Sequence, residues 1–335
     1  MTLFSRLFKL FISVIITPLF VTGVFLFYYQ NHSKTAILEN YFNLADISAS
    51  YIKRNISDSA ARLDFLGQAA SSYEGQSEIF ENILNDSVKS NPEIVFAALL
   101  GKDGKELFRS EVNDASRILG QIDISGDPSF GVIDDKNISI SYVDYSLDRP
   151  LIEIIYPLSN GNYIFAVLDL SGVWYSVGTQ RLGVTGGLYL ASEEGFLDFN
   201  VLPVPKISGG ALSEVLDKGK GLIKGLPTEQ GDKFVGAYAQ TIIPGIYVLA
   251  LQYGKEAFYT ITLTSWIIAF FILATTTLSY FAAYNFSKEI SEPVDRLTAA
   301  AKEVSSGNFD VSLDSSESWG EFEILINTFN EMAAR

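Results

Sequence analysis

Two long apolar stretches divide the chain. Residues 10–29 and residues 258–286 contain no Asp, Glu, Lys or Arg, and each is long enough to cross the hydrocarbon core of a bilayer as a helix. The pattern therefore predicts two transmembrane helices. Tyrosines near their ends support this, because amphipathic rings favour the membrane interface; they are Tyr28, Tyr29, Tyr259, Tyr280 and Tyr284.

The first stretch has an alternative interpretation as a cleaved signal peptide, because Arg6 and Lys9 precede it. Its apolar region is longer than the roughly 7 to 15 residues usual in such signals, and no A-x-A-like site follows in FYYQNHSK. An uncleaved anchor is therefore favoured. Basic residues before the first stretch and after the second, Lys288 and Arg296, predict that both termini are cytoplasmic. Residues 30–257 would then lie on the other side of the membrane.

Residues 34–89 show helical periodicity. Apolar side chains recur at spacings of three and four, and no proline interrupts the segment before Pro92. We therefore expect one long helix that continues from the first span. Its apolar face is predicted from Ile37, Tyr41, Leu44, Ile47, Tyr51 and Ile52.

After Pro92 the pattern changes to short strands separated by turn residues. EIVFAALLGKDGKELFRS is an apolar run, a Lys-Asp-Gly turn and a second apolar run, which indicates a β-hairpin. NISISYVDYS, PLIEIIYPL and YIFAVLDL predict three further strands. SGVWYSVGTQRLG predicts a short helix and a linker.

A second, smaller series of elements begins at Gly186. GGLYLASEEGFLDF predicts strand, turn and strand, and SGGALSEVLDKG predicts a short helix between a serine N-cap and a glycine stop. KFVGAYAQT and GIYVLALQYG predict two closing strands. The two series look like two versions of one module, so the predicted fold class is α+β, with a long helix that carries two antiparallel-sheet modules.

The order of these elements resembles the double Cache (dCache) sensor domain of bacterial transmembrane receptors. The most specific stretch is YIFAVLDLSGVWYSVGTQRLGVTGGLYLASEEGFLDF, which is similar to the family's passage from a membrane-distal module into the G-x-T-G-x-x-x-L strand of a membrane-proximal one. The resemblance implies PAS-like sheets, with the long helix and distal module in residues 34–183 and the proximal module in residues 184–257. It also implies an extracytoplasmic sensor of small molecules.

The segment after the second span, EISEPVDRLTAAAKEVSSGNFDVSL and the residues that follow it, has the spacing of a coiled coil interrupted by an extended connector. This order resembles a HAMP domain. Pro293, Gly307 and Glu321 match the family's proline in the first helix, glycine before the connector and glutamate that opens the second helix, and they are predicted to serve signal transmission. The acidic pair usual before that glutamate is replaced by ESWG. The predicted seam is Ile290, Val294, Leu297, Ala301 and Val304, then the connector residues Phe309, Val311 and Leu313, then Phe322, Leu325, Phe329 and Met332.

An a/d seam needs a partner helix, so the HAMP segment predicts a homodimer. The alternative, a helix lying on the bilayer surface, is disfavoured because its polar face is acidic. The early position of Pro293 is expected to remove one helical hydrogen bond just below the membrane. The second seam still runs at Arg335, so we expect an output domain to follow, of the histidine kinase, diguanylate cyclase or chemotaxis type. The acidic residues of that face are Glu289, Glu292, Asp295 and Glu303.

Four residues are candidates for ligand binding. Tyr142 and Asp144, in SYVDYS, match the part of the dCache amino-acid motif that holds the ligand's ammonium group, and Asp169, in FAVLDLSG, matches its second aspartate. Carboxylates and an aromatic face suit an ammonium group. The motif's arginine followed by Trp-Tyr has no counterpart in GDPSFGVIDDKN, so an amine is favoured over an amino acid. Arg149, in LDRP, is a candidate partner for a ligand carboxylate.

Each of these residues also has a structural interpretation. Tyr142 and Asp144 are ordinary strand residues in that alternative, and Asp169 is an N-cap for the helix that begins in SGVW. Arg149 precedes Pro150 and is then a turn residue.

Composition narrows the function classes. A formal net charge of −15 over 335 residues disfavours nucleic acid as a partner. The sequence has no cysteine, and its single histidine, His32, lies beside the first span, so thiolate, zinc and Ser-His-Asp sites are not expected. No catalytic residue, metal ligand or cofactor is predicted, and any enzyme activity is expected in the output domain.

The predicted function is a multi-pass sensor of the inner (plasma) membrane that binds a small amine or amino acid in its distal module. It would pass the signal through the second span and the HAMP homodimer. The alternatives are a ligand-free membrane scaffold and, least favoured, an extracytoplasmic hydrolase. The predicted division is 1–9 cytoplasmic N-terminus, 10–29 first span, 30–257 sensor, 258–286 second span and 287–335 HAMP.

Overall fold

The computed structural model shows two compact units. Lys34–Tyr259 form one, which we call the α+β unit. Met1–Ser33 and Thr260–Arg335 form the other, which we call the helical unit. The structure describes residues 3–72, 77–110, 120–126, 138–144, 149–197, 200–207, 210–216, 219–308, 310–314 and 320–334.

The helix predicted over residues 34–89 is helical in all of its described residues. Helix α1 covers Leu3–Ser72 and helix α2 covers Ser77–Ser90, and residues 73–76 lie outside the described part of the chain.

The buried face of α1 differs from the predicted apolar face. Tyr41 and Ile52 are buried as expected, but Ile47 is 68% exposed and Tyr51 is 41% exposed. Small side chains, some of them polar, occupy much of the buried face, because they let neighbouring backbone come close to the helix. These small buried residues are Ala45, Ser48, Ala49, Ser59 and Ala60.

The first sheet has five antiparallel strands in the order β2-β1-β5-β4-β3. The predicted hairpin is confirmed: the Gly101 N–H donates to the Lys105 carbonyl (2.8 Å), and Gly104 adopts φ 76° in the turn, a conformation that glycine tolerates. The strands are β1 Ile94–Leu100, β2 Glu106–Arg109, β3 Ser139–Ile140, β4 Leu151–Pro157 and β5 Tyr163–Asp169.

Strand β3 is shorter than the predicted strand NISISYVDYS. After Ile140, the Ser141 hydroxyl accepts the Glu153 N–H (2.8 Å), so a side chain replaces a carbonyl of the ladder. The Ser141 N–H still donates to the Glu153 carbonyl (3.0 Å), and an isolated bridge joins Asp144 and Leu151. Residues 145–148 of the predicted strand lie outside the described residues.

Side chains of the first sheet alternate between two faces. One face, which includes Ile152, Ile154 and Ala166, packs with α1 in a large core. The opposite face, which we call the outer face, belongs to a separate apolar cluster. Its buried residues are Val95, Phe96, Ala98, Leu100, Ile124, Leu151, Ile155, Phe165 and Val167.

The second sheet repeats this design after helix α3, Ser171–Gly178. Its five antiparallel strands have the order β6-β7-β10-β9-β8. Strand β8 was not expected, because its sequence KGLIKGLP has two glycines and ends in proline, a composition typical of turns and sheet edges. The strands are β6 Arg181–Leu182, β7 Gly186–Ala191, β8 Lys220–Pro227, β9 Lys233–Gln240 and β10 Tyr247–Tyr253.

The strand expected after the turn in GGLYLASEEGFLDF is reduced to an isolated bridge between Ala191 and Phe196. A side chain again replaces ladder bonds. Asn200 accepts the Leu190 N–H (2.7 Å) with Oδ1 and donates to the Leu190 carbonyl (2.9 Å) with Nδ2. The short β7 hairpin therefore depends on one amide side chain that local sequence patterns do not reveal.

The short helix predicted in SGGALSEVLDKG is not found as an α-helix in the described residues 210–216, which form turns. Gly210 has φ 78°, outside the right-handed helical region, and the Val215 and Leu216 amides share the Leu212 carbonyl. Ser208, the predicted N-cap, lies outside the described residues.

Three helices complete the chain: α4 Gly254–Ala257, α5 Tyr259–Ser305 and α6 Glu321–Ala333. Helices α1 and α5 are long and apolar enough to cross a membrane. Within the helical unit they form edge-to-face pairs between Phe8 and Tyr280 (5.6 Å) and between Phe11 and Phe286 (5.8 Å). Helix α5 continues through Pro293, so the missing N–H does not end it.

Strand β9 allows a test of how tightly the second sheet is packed. A Cβ atom on Gly236 would lie 1.8 Å from the Ala250 carbonyl oxygen, which belongs to a central strand and cannot move aside cheaply. We expect Gly236→Ala to destabilise the protein by about 1 to 3 kcal/mol, the usual cost of overpacking, measured by thermal or denaturant unfolding. Gly172→Ala is the control, because a Cβ there meets nothing within 4 Å. Equal stability of the two variants would contradict the packing.

Candidate ligand-binding site

The outer face of the first sheet combines an apolar floor with acidic positions. Asp169 at the end of β5 is in register with Leu151 of β4, and Leu151 forms the bridge to Asp144. Directly opposite residues in antiparallel pairing project from the same face. Asp144 and Asp169 are therefore on the outer face, separated by one strand, or roughly 10 Å at the usual strand spacing.

Asp169 has two protein partners. Its Oδ1 accepts the Ser171 N–H (2.8 Å), the first amide of α3, and its Oδ2 lies 3.4 Å from Arg149 Nη1. The N-cap of α3 is Leu170, so the interpretation of Asp169 itself as the N-cap is wrong, although its carboxylate stabilises the start of the helix. Asp169 is 15% exposed and Arg149 is 60% exposed, so the arginine can swing away while the aspartate stays in place.

The structure brings Arg149 and Asp169 together but places Tyr142 elsewhere. Tyr142 is 73% exposed and lines a groove of about 600 Å³ with the turn of β7 and the β9–β10 connection. Neither Asp144 nor Asp169 is among the described residues that line this groove. The described lining comprises Tyr142, Val143, Ser192, Glu193, Glu194, Leu197, Gln240, Pro244, Gly245, Ile246 and Tyr247.

Glu153 is an acidic residue of the outer face that sequence reasoning missed. It lies in β4 between Leu151 and Ile155, in register with Val167, and its side chain is partly buried. A glutamate inside the otherwise apolar strand LIEIIYP is a signal that could have identified it, because an acidic group on a buried sheet face needs a partner.

Glu106 and Arg109 form a second missed feature at the β2 edge of the outer face. Arg109 donates to Glu106 with Nε (2.5 Å) and to the Gly120 carbonyl with Nη2 (2.8 Å), and its guanidinium lies 5.4 Å from the centre of the Phe96 ring. Burial would raise the pKa of Glu106, but hydrogen bonds from Arg109 and the Ile122 amide outweigh it and lower that pKa. This arginine is the only basic side chain facing the floor among the strand residues that the structure describes.

Two of the residues predicted to transmit the signal, Gly307 and Glu321, lie at helix ends, whereas Pro293 lies inside α5. Gly307 has φ 94° just after α5, and Glu321 is the first residue of α6. Asn330 of α6 anchors the connector, because it accepts the Leu313 N–H (2.9 Å) and donates to the Leu313 carbonyl (2.8 Å). Phe309 and most of ESWG lie outside the described residues.

The predicted seam of the helical unit faces an open groove. Several residues next to the seam positions are buried within the chain, among them Ser291, Ala300, Ile326 and Ala333. Leu325 and Met332, which belong to the seam, are 51% and 61% exposed. The groove measures about 670 Å³, and its apolar lining includes Val294, Leu297, Ala301, Leu325, Phe329 and Met332.

Comparison with known proteins identifies one family. Residues 286–335 match the HAMP domain. A search of curated proteins gives no match. The HAMP prediction is therefore confirmed.

Solved structures that resemble the chain include three receptor domains. The ligand binding domain of Mlp24 with asparagine is 14% identical, with a TM-score of 0.46, and the match covers 70% of this chain and 98% of that one. The ligand binding domain of the Pseudomonas aeruginosa PAO1 amino acid chemoreceptor PctB in complex with L-Arg is 15% identical, with a TM-score of 0.45. That match covers 66% of this chain and 97% of that one. An extracellular ligand binding receptor from Desulfohalobium retbaense DSM5692 is 14% identical, with a TM-score of 0.46. That match covers 63% of this chain and 39% of that one.

The order of elements expected from the double Cache resemblance is present in the structure. A long helix is followed by an antiparallel sheet, a short helix and a second antiparallel sheet, between two candidate spans and before the HAMP domain. The chain thus has the architecture of a transmembrane signal transducer.

Asp169 allows the structural and ligand-binding interpretations to be separated. Asp169→Ala removes the acceptor of the Ser171 amide and should lower the free energy of unfolding by about 1 kcal/mol, whereas Asp169→Asn keeps an oxygen acceptor and should change it little. Arg149→Ala is the control for the ion pair, which at this exposure contributes about 0 to 1 kcal/mol. Thermal unfolding in one buffer measures all three. Equal stability of the Ala and Asn variants would exclude a stabilising role for the Ser171 bond.

Proposed function

We propose that the chain is a transmembrane sensor that binds a small ammonium-bearing molecule on the outer face of the first sheet and transmits this event through its HAMP domain. The observation that carries the proposal is the shared face of Asp144 and Asp169 above an apolar floor. Glu153 lies on the same face. Several carboxylates around a partly apolar surface suit an organic ammonium group, which forms charge-assisted hydrogen bonds while its carbon atoms cover the floor.

The first module is favoured over the second because its outer face carries the carboxylates of Asp144, Glu153 and Asp169. The described strands of the second sheet contain no acidic residue. The corresponding face of that sheet instead carries aromatic pairs: Phe234 and Tyr253 stack at 4.2 Å, and Tyr238 contacts Tyr247 edge to face at 6.1 Å.

The presence of arginines bears on the ligand class. Arg149 is paired with Asp169, and Arg109 is paired with Glu106, so each guanidinium already has a carboxylate partner. A ligand carboxylate would have to compete with these partners, whereas an ammonium group would add to the acidic side. An amine is therefore the preferred class, and an amino acid held by a displaced Arg149 is the second.

The membrane arrangement forms part of the proposal. Basic residues outside the two spans favour both termini in the cytoplasm, which places the α+β unit outside it. A plasma-membrane location follows from an extracytoplasmic sensor joined to a cytoplasmic HAMP domain.

A second copy of the chain is the proposed occupant of the apolar groove in the helical unit. The groove is lined by the seam residues that coiled-coil spacing directs toward a partner, and it carries almost no charge, with Lys302 the only ionisable residue in its described lining. A parallel dimer would bury this surface and complete the HAMP bundle.

Calorimetric titration of the full chain in nanodiscs against a panel of amines and amino acids tests the ligand. Asp144→Asn and Asp169→Asn should each weaken binding by roughly 10- to 100-fold, because each loses a charge-assisted hydrogen bond of about 1.5 to 3 kcal/mol. Folding should hardly change.

Glu194→Gln is the matched control, because it removes one acidic charge in the groove beside Tyr142 and outside the outer face. It should leave affinity unchanged. If no compound of either class binds, or if both Asn variants keep wild-type affinity, the proposed ligand site is wrong. Loss of binding in Glu194→Gln alone would move the site to the groove.

Cysteine cross-linking tests the dimer, and the absence of native cysteine makes the readout clean. Val294→Cys or Leu297→Cys should cross-link efficiently between subunits in membranes, because a and d positions of a parallel bundle face their own copies. Asp295→Cys and Arg296→Cys are exposed neighbours and should cross-link poorly. The reverse order would reject the assigned seam.

A further inference from the structure

The segment before the second candidate span is held by one carboxylate. Glu256, in α4, accepts the Val184 N–H with Oε1 (2.7 Å) and the Thr185 N–H with Oε2 (3.0 Å), and Oε2 also accepts the Thr185 hydroxyl. Val184 and Thr185 belong to the tight turn between β6 and β7, in which Leu182 pairs with Gly186. The turn thus presents three donors to a residue about 70 positions later in the chain.

The same carboxylate is linked to helix α1. Tyr41 of α1 donates its hydroxyl to Oε1 of the buried residue Gln252, and the Gln252 side chain also hydrogen-bonds Glu256. Burial, followed by the charge of Glu256, raises the pKa of Tyr41. A chain of side-chain hydrogen bonds therefore runs from α1 through the last strand to the β6–β7 turn.

Two glycines fit the turn to this arrangement. A Cβ atom on Gly183, which has φ 62°, would lie 2.3 Å from Gln252 Nε2 and 2.4 Å from Glu256 Oε1. A Cβ on Gly186 would lie 2.5 Å from the Leu251 carbonyl oxygen. The sequence GVTG thus has a physical explanation: Gly183 leaves room for the carboxylate, Gly186 lets the turn approach the backbone of β10, and Thr185 supplies its hydroxyl and amide.

Further contacts restrain the same segment. Lys255 Nζ lies 2.7 Å from Asp232 Oδ1, and Lys34 Nζ of α1 lies 5.6 Å from the centre of the Phe258 ring. Both pairs involve exposed lysines and contribute little by themselves. The Glu256 contacts differ because three donors converge on one carboxylate, and the hydrogen bonds from the Thr185 side chain and the Val184 amide lower its pKa and keep it ionised.

We propose that Glu256 is a latch that fixes residues 254–258 to the β6–β7 turn and to α1, and that its release is a step in signal transmission. The turn follows α3 after the short strand β6, and the Ser171 amide at the start of α3 donates to Asp169 in the first module. A shift of α3 would displace the three donors, and α4 would lose its anchor next to the start of α5. The signalling role rests on the proposed function, whereas the latch itself does not.

Two measurements on the full chain in nanodiscs test the latch. Hydrogen exchange of the Val184 and Thr185 amides should be about 10- to 100-fold faster in Glu256→Ala, because charge-assisted hydrogen bonds are lost. Ala257→Cys, which replaces a partly buried residue packed on the core, should react several-fold faster with a charged maleimide when Glu256→Ala is also present.

Glu194→Ala is the matched control in both measurements, because it removes an exposed glutamate from a turn of the same module. Thr185→Val, with Thr179→Val as its control, is a milder pair if Glu256→Ala fails to fold. It removes only the hydroxyl donor, so exchange of the turn should rise less but still exceed the control. If hydrogen exchange of the Val184 and Thr185 amides is the same in the variants and their controls, the latch proposal is wrong. If exchange is faster but the cysteine at position 257 is not labelled faster, Glu256 does not hold residues 254–258 in place.

The signalling role has its own readout. In the Leu297→Cys background, Glu256→Ala should change the rate of cross-linking between subunits at least several-fold, and Glu194→Ala should not. If Glu256→Ala speeds amide exchange and labelling but leaves the Leu297→Cys cross-linking rate unchanged, the proposed role of Glu256 in signal transmission is wrong. Absence of any cross-linking in the parent chain, or of ligand binding, would count against the proposed function, while the exchange and labelling results would still decide the latch.

Discussion

Both sheets of the α+β unit depend on one helix face for their packing. A single core cluster contains residues of α1, of the first sheet, of α3 and of the second sheet, including Ile52, Ile154, Trp174 and Val248. Neither sheet could bury its inner face on the other alone, because each presents that face to α1. Since packed interiors shift as units and compress little, a displacement of one sheet along α1 must be accommodated by the other. The helix is therefore both the scaffold and the mechanical connection of the unit.

Local sequence patterns predict several strands of the fold but not the buried face of α1. The β1–β2 hairpin and strands β4, β5, β9 and β10 carry local signals, namely apolar runs bounded by turn residues. The buried face of α1 carries small and partly polar residues, so hydropathy directed attention to Ile47 and Tyr51, which lie on the exposed side. Close packing selects for size at these positions, and a scale of hydrophobicity does not measure size.

Two strand ends differ from the prediction because a side chain there hydrogen-bonds to backbone groups. Ser141 ends β3 by accepting the Glu153 amide, and Asn200 occupies the backbone groups of Leu190. Both side chains are distant in sequence from the groups that they satisfy. A strand limit set in this way cannot be read from the strand's own residues, because the competing hydrogen bond comes from elsewhere in the fold.

The candidate site shows the same division between local and distant information. Sequence identified Asp144 and Asp169 individually, but their shared face depends on the register of Leu151 between them. The Arg149–Asp169 pair spans 20 positions, and the Glu256 contacts to Val184 and Thr185 span 72 and 71. Tyr142 precedes Asp144 by two residues in the motif, yet its side chain lines a different groove. The motif located Asp144 and Asp169 but not Glu153, and the partners of these groups required the fold.

The two units differ in how much of their apolar surface a single chain buries. The α+β unit closes three apolar clusters with its own side chains, and its described polar groups at the latch find partners within the unit. The helical unit leaves Leu325 and Met332 more than half exposed along an apolar groove, and apolar surface in water costs about 25 cal/mol per Å². In the proposed dimer, a second copy covers this groove. Events inside the α+β unit can alter how two copies of the helical unit pack without first disrupting the α+β unit, because the stabilities of the two units come from separate interfaces.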